Sequence, residues 1–231
     1  MKKDAERAVQ TWETWARTDP KYAILSSDEV RDWDDDRFMA HCWEADHALR
    51  LADEVITVRR GRALDFGCGI GRLSQRLAQE FDTVLGVDLS PTMVKEAKRL
   101  NRYADRCEYV RADLDRFIDA EFDFVLSVYV IQHIAPSLQA PILRDLTRVL
   151  KPDGLAVIQI YGGWRGLRGV FQRYAPRAIH DLRWRLRYST PRIEMNPLSP
   201  AQVARIIAPA TVALVRDQWF VIRAHPPSPN C

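Results

Sequence analysis

Apolar residues along this chain recur with two different spacings, and the changes between them mark out the elements. Residues 4–17 place Val9, Trp12 and Trp15 at helical spacing, which predicts an amphipathic helix. Thr18-Asp19-Pro20 ends it, because proline lacks a donor and restricts the residue before it. Residues 28–36 are acidic and read as a loop, and a longer helix is expected over about 36–56. Strand and helix patterns then alternate. Strands are expected at 63–66, 83–87, 107–111, 122–128 and 156–160. Helices are expected at about 71–80, 91–100 and 137–150, with Lys151-Pro152-Asp153-Gly154 as a turn. This βαβ rhythm implies a parallel sheet with helices on both faces.

The end of the chain has a different pattern. Ser199-Pro200 opens a helix to about residue 207, and strands follow at 211–215 and 219–223. Only Asp217-Gln218 and its immediate neighbours join them, so the pair must be antiparallel; a parallel crossover needs a dozen or more residues. The fold class expected is therefore α/β: a doubly wound, mostly parallel seven-stranded sheet ending in an antiparallel hairpin, with an amino-terminal helical cap. Residues 226–231 read as a frayed tail.

Composition narrows the class. The 231 residues suggest a single domain, and 47% hydrophobic with 28% charged residues is ordinary for a globular protein. Ten glycines and four cysteines exclude collagen-like and disulfide-scaffold proteins. Cys42, Cys68, Cys107 and Cys231 form no CxxC pair, so no zinc site or other metal centre is expected. No run approaches the ~18 apolar residues of a membrane span. The first residues lack the apolar core of a signal peptide, which makes a cytoplasmic location the expectation. The net charge is only +3, but it is unevenly spread: residues 161–192 hold eight arginines against one acid, Asp181.

The candidate chemistry centres on Leu64-Asp65-Phe66-Gly67-Cys68-Gly69-Ile70-Gly71-Arg72, between a strand and a helix, where a doubly wound sheet binds a nucleotide-like ligand. Asp88 ends the next strand, where a carboxylate can accept two ribose hydroxyls. A dinucleotide fingerprint wants a sixth-position glycine, and Arg72 stands there instead. This disfavours a nicotinamide oxidoreductase. Asp65 before the loop suits a ligand with an ammonium group and a positive sulfur better than a pyrophosphate.

The stretches LDFGCGIG (64–71), VLGVDLSPTMV (84–94), RADL (111–114), FDFVLSVYVIQHI (122–134) and LTRVLKPDGLAVI (146–158) together resemble the class I S-adenosylmethionine-dependent methyltransferases. The resemblance covers residues 60–160 tightly. It implies S-adenosyl-L-methionine as cofactor, S-adenosyl-L-homocysteine as product, and no metal. It implies Asp65, Gly67, Cys68 and Gly69 along the methionine and ribose, Asp88 on the ribose diol and Leu89 beside the adenine. Asp113 would meet the adenine amino group, with Leu114 on the ring, and Ser127 would offer its carbonyl to the methionine amine. Met93 reads as an adenine contact or as helix core, and Arg72 as a cofactor contact or a solvated surface side chain.

The candidate catalytic residues are His133, Tyr22 and Tyr129. His133 follows the fourth strand and could take a proton from a hydroxyl acceptor, or it could pack beneath the site. Tyr129 and Gln132 are further polar contacts of that loop. In outline, the division expected is a helical cap at 1–58, a cofactor-binding core at 59–160, an Arg-rich acceptor-side insert at 161–198, and the final helix and hairpin at 199–225. The cap, rich in tryptophan, reads as a lid that brings Trp15 and Tyr22 to the acceptor. Tyr161, Arg183, Arg185 and Arg187 would bind the acceptor from the insert. That points to a small molecule, carboxylated or phosphorylated. An RNA methyltransferase with a phosphate clamp, a noncatalytic cofactor-binding module, and a solvated basic face or dimer contact are the alternatives. The protein could be a monomer or a homodimer.

Overall fold

The structure is a computed structural model that describes residues 2–26, 28–112, 119–161 and 190–224. Seven strands form one sheet in the order β3-β2-β1-β4-β5-β7-β6. They are β1 (Arg62–Phe66), β2 (Thr83–Asp88), β3 (Cys107–Arg111), β4 (Phe122–Val128), β5 (Leu150–Gln159), β6 (Thr211–Arg216) and β7 (Trp219–Arg223). The first five are parallel, and β7 runs antiparallel to both β5 and β6, as the patterning predicts. Asp217 and Gln218 close the hairpin with φ of +45° and +75°. Two left-handed central residues match the twist of a two-residue hairpin.

The inner strands read as unbroken apolar runs because both faces are covered. All seven residues of β4 are buried. Phe124 and Leu126 pack with Leu51, Leu73 and Leu77 on one face. Val125 packs with Ile142, Leu146 and Val203 on the other. Those covering residues lie on α4 (Trp43–Val55), α5 (Arg72–Leu77), α7 (Pro136–Arg148) and α8 (Pro200–Ile207). The helix after β2, α6 (Pro91–Arg99), starts where Ser90 caps it, accepting from the Met93 amide at 3.1 Å.

The amino-terminal cap departs from the expected pattern in three places. A short helix, α2 (Pro20–Leu25), starts directly after the break at Thr18-Asp19-Pro20, where the pattern predicts no helix; Asp19 caps it by accepting from the Tyr22 amide. The acidic stretch holds a 3-10 turn at Asp28–Asp32 and then α3 (Asp35–Ala40), capped by Asp34. The long helix expected over 36–56 is two helices, broken at His41-Cys42. The break has a tertiary cause: it turns the His41 carbonyl toward the guanidinium of Arg72, which also pairs with Glu44 in the first turn of α4. No local signal announces this. In the core, the Lys151–Gly154 turn becomes a bulge within β5, where pairing with β4 jumps from Leu150 to Leu155.

A third apolar cluster joins the cap to the sheet's carboxyl rim. Trp15 of α1 (Lys2–Thr18), with Ala23, Phe38 and Met39, packs on Ile70 of the glycine loop and Met93 of α6.

Candidate functional site

The strand order reverses between β1 and β4, and the crevice at their carboxyl ends is where such sheets bind ligands. The glycine loop leaves β1 there. Gly67 and Gly69 have φ of +80° and +55°, a region that side-chain-bearing residues rarely adopt. The amides of Gly67 and Cys68 both donate to the Val87 carbonyl, at 2.8 and 3.0 Å, which ties the loop to β2. The Asp88 carboxylate sits across the crevice. One oxygen accepts from the Gly69 amide and the other from the Ser90 amide, each at 2.9 Å. Burial pushes this carboxyl up from the ordinary aspartate range, and the amides partly offset that.

Asp65 is buried beneath the loop and accepts from the Ser74 hydroxyl at 2.6 Å. Burial pushes its carboxyl up to about 6 against that hydrogen bond. Cys68 is buried, and its thiol is pushed well above its usual value, which keeps it protonated and inert.

The other side of the rim belongs to the loop after β4. His133 closes a 3-10 turn, Ile131–His133, and its Nδ1 lies 2.8 Å from the Glu194 carbonyl. A carbonyl can only accept, so Nδ1 carries the proton and a neutral ring has its lone pair on Nε2. Burial lowers the His133 pKa despite that hydrogen bond, favouring the neutral ring. The Trp12 ring meets His133 edge-on at 5.6 Å. Both line a cavity of about 50 Å³ together with Arg7, Thr11, Arg192 and Glu194. Gln132 is buried, and its Oε1 has no hydrogen-bond partner among the described residues. A buried acceptor of this kind costs about 1–3 kcal/mol until a donor reaches it.

Residues 64–158 match the family model described as a methyltransferase domain. That stretch is a methyltransferase domain of the class I S-adenosylmethionine-dependent kind. A sterol 4-C-methyltransferase of Caenorhabditis elegans is 32% identical over 123 residues, which are 51% of this chain and 34% of that protein. A phosphoethanolamine N-methyltransferase of the same organism is 36% identical over 126 residues, covering 52% and 28%. An uncharacterized methyltransferase of Synechocystis is 33% identical over 109 residues, covering 47% and 50%. The chain thus spans half or less of these relatives. Among solved structures, a Pyrococcus horikoshii protein superposes with a TM-score of 0.61 at 21% identity, covering 92% of this chain and 98% of that one. The magnesium protoporphyrin IX methyltransferase of Synechocystis does so with 0.59 at 18%, covering 92% and 94%. Those two likenesses speak for the fold.

The methyltransferase domain has a crevice suited to S-adenosylmethionine. Its glycine loop can approach a ligand without side chains, and a Cβ on Gly69 would come within 2.8 Å of Ile24 from the cap. Asp88 presents a carboxylate at the crevice, and the Gln132 Oε1 is a buried acceptor without a donor among the described residues. The remaining candidates divide in two. Leu89 is half-buried next to Asp88, and Ser127 is buried at the tip of β4, its hydroxyl donating to the Phe66 carbonyl at 3.1 Å. Met93 is buried in the cluster shared with the cap, which is the helix-core arrangement. Tyr129 has φ of +60° and its side chain packs on the α4–α5 face, near Glu44 and Arg72, away from the Trp12 contact made by His133. Tyr22 stacks on Trp15 at 5.7 Å, and Trp15 donates to the Pro191 carbonyl at 2.9 Å. Tyr161 follows β5 and is half-buried. Asp113, Leu114, Arg183, Arg185 and Arg187 lie outside the described residues.

Arg72 is not a solvated surface side chain. It is 2% exposed and makes a two-pronged pair with Glu44, itself 1% exposed, at 2.7 and 3.1 Å. Sequence reasoning passed over Glu44, Ile24, Glu194 and Glu13. Their partners are far away in the chain, and none stands in a local motif. Among the described residues no helix is long and apolar enough to cross a membrane, and no cluster of three or more His, Cys, Asp or Glu could hold a metal.

Proposed function

We propose that this chain transfers a methyl group from S-adenosylmethionine to an oxygen or nitrogen of a small-molecule acceptor. The observation that carries it is the pairing, on one rim, of a backbone-held carboxylate at Asp88 with a neutral imidazole at His133. The names of the relatives support a small-molecule acceptor, a sterol in one and phosphoethanolamine in the other, but not one acceptor atom, since the first names carbon and the second nitrogen. When bound, S-adenosylmethionine supplies a methyl group on a sulfonium, which passes in line to the acceptor's lone pair as the carbon–sulfur bond breaks.

The chain's own residues bind and align. Asp88 accepts from the ribose diol, and the Gly67–Gly69 loop lies along the sugar and methionine. Asp65, already held by Ser74, fixes the loop from below, and Arg72 joins the cap to it through Glu44. The cap closes the crevice and excludes water, with Trp15 and Tyr22 on the acceptor side. A hydroxyl acceptor loses its proton to Nε2 of His133. An amine acceptor needs little such help. The basic insert, including Arg183, Arg185 and Arg187, holds a carboxylate or phosphate on the acceptor. The cap, core, insert and hairpin act together in the cytoplasm.

The test is an extract of metabolites incubated with protein and methyl-labelled cofactor, followed by mass spectrometry of labelled products. A labelled small molecule supports the proposal. Cofactor binding with no labelled product in any extract favours a noncatalytic cofactor-binding module instead.

A further inference from the structure

A charged side chain of α1 reaches the rim of the cofactor crevice. Glu13 of α1 accepts from the Ser90 hydroxyl at 2.6 Å, the Thr92 hydroxyl at 2.5 Å and the Thr92 amide at 3.2 Å. Arg17, one turn along α1, holds the same carboxylate at 2.9 Å. The Glu13 side chain is only 15% exposed. The residues it grips are the cap of α6, Ser90, and a residue of its first turn, Thr92, just after Asp88. Ser90 serves three partners at once: its amide goes to Asp88, its hydroxyl hydrogen to Glu13, and its hydroxyl oxygen accepts from the Met93 amide. The first amides of a helix have no partner within the helix, and a carboxylate is favoured there. Glu13 supplies that carboxylate from 79 residues away.

We propose that Glu13 is a positioning residue for the cofactor site, holding the Ser90–Thr92 turn so that the Asp88 carboxylate stays aimed at the ribose. The inference rests on the reading of Asp88 as the ribose ligand. Without Glu13, the Ser90 hydroxyl and both Thr92 donors lose their acceptor. Ser90 is then free to shift, and one of the two amides that orient Asp88 shifts with it. The contact also makes docking of α1 and retention of the cofactor a single event, because α1 carries Trp12 and Trp15 over the same rim.

The experiment measures S-adenosylhomocysteine binding by calorimetry and its release by stopped flow, in the full chain. Glu13→Ala is expected to weaken binding about tenfold through faster release, the scale of one charge-assisted hydrogen bond. Glu13→Gln keeps an acceptor oxygen and is expected to recover most of that loss. Thr92→Val, which removes one donor and keeps the shape, moves the constant in the same direction and serves if Glu13→Ala does not fold. The decisive readout is a double-mutant cycle. If Glu13 acts through Asp88, Glu13→Ala costs much less in an Asp88→Asn background than in the natural one. Folded Glu13→Ala and Thr92→Val variants with unchanged release would overturn the inference, and so would full additivity in the cycle. If Asp88→Asn itself leaves affinity unchanged, the reading of the cofactor site fails, a separate result from the failure of Glu13.

Discussion

The two sides of the crevice are built by different means. On the β1–β2 side, backbone amides of Gly69 and Ser90 hold Asp88, and the parts lie within a 27-residue stretch, 64–90. On the β4 side, His133 is held by the carbonyl of Glu194, sixty-one residues on, and by the ring of Trp12 from the cap. A site made from backbone at short range is rigid and written in a motif. A site made from distant side chains is adjustable, and can differ between proteins that share the motif. This matches the division of labour proposed here, with a constant cofactor on one side and a particular acceptor on the other.

The first side can be broken most forcefully where the cap is joined to the helix that follows the glycine loop. Glu44→Ala leaves the buried Arg72 charge uncompensated and should destabilise the fold by about 3–5 kcal/mol, read from urea unfolding. A loss under about 1 kcal/mol would mean that water reaches the guanidinium. Asp88→Ala should weaken S-adenosylhomocysteine binding by about 100-fold or more with the fold intact, because a carboxylate hydrogen-bonded to two hydroxyls is lost. Unchanged affinity in calorimetry would remove Asp88 from the site.

His133→Ala sharpens the contrast, since it should leave cofactor affinity alone. With a hydroxyl acceptor, turnover should fall about 100-fold. A fall of only a few-fold would indicate nitrogen as the acceptor atom. Trp15→Phe, which removes the indole donor to Pro191 and keeps most of the packing, should cost about 1 kcal/mol in thermal unfolding.

The last contrast is in acid. Burial pushes the Glu13 carboxyl up, but hydrogen bonds from Ser90, Thr92 and Arg17 outweigh it and bring the pKa from 4.5 to about 2. The folded state therefore binds this proton more weakly than the unfolded one. The stabilisation is complete above about 4.5 and is lost as pH falls toward 2. Asp65, raised from 3.8 to about 6, has the opposite sign and is relieved by acid over that higher range. Comparing acid unfolding of the natural chain with Glu13→Gln isolates the Glu13 contribution; identical profiles would mean that the Glu13 carboxylate contributes nothing to stability.

Much of this architecture was legible from pattern alone. The five parallel strands, their helices and the terminal hairpin follow from apolar runs, prolines at helix starts and a two-residue connection. The cap was less legible. Its helices end where side-chain caps and distant partners end them, as at His41, whose carbonyl turns to Arg72. The candidate site divides in the same way: Gly67, Gly69 and Asp88 stand in recognisable stretches, whereas Glu13 sits in an amphipathic helix as one more acid.

Sequence by itself determined the sheet and the glycine loop, because those depend on φ, capping and burial preferences of residues close together in the chain; the methyltransferase class was readable there only as a resemblance of several motifs to a known family. Only the tertiary structure decided that Arg72 is buried against Glu44, that His133 carries its proton on Nδ1, and that Glu13 grips the turn beside Asp88. Each of those outcomes depends on a polar group finding its partner 28 to 79 residues away once water is excluded. Local patterning carries no record of such pairings.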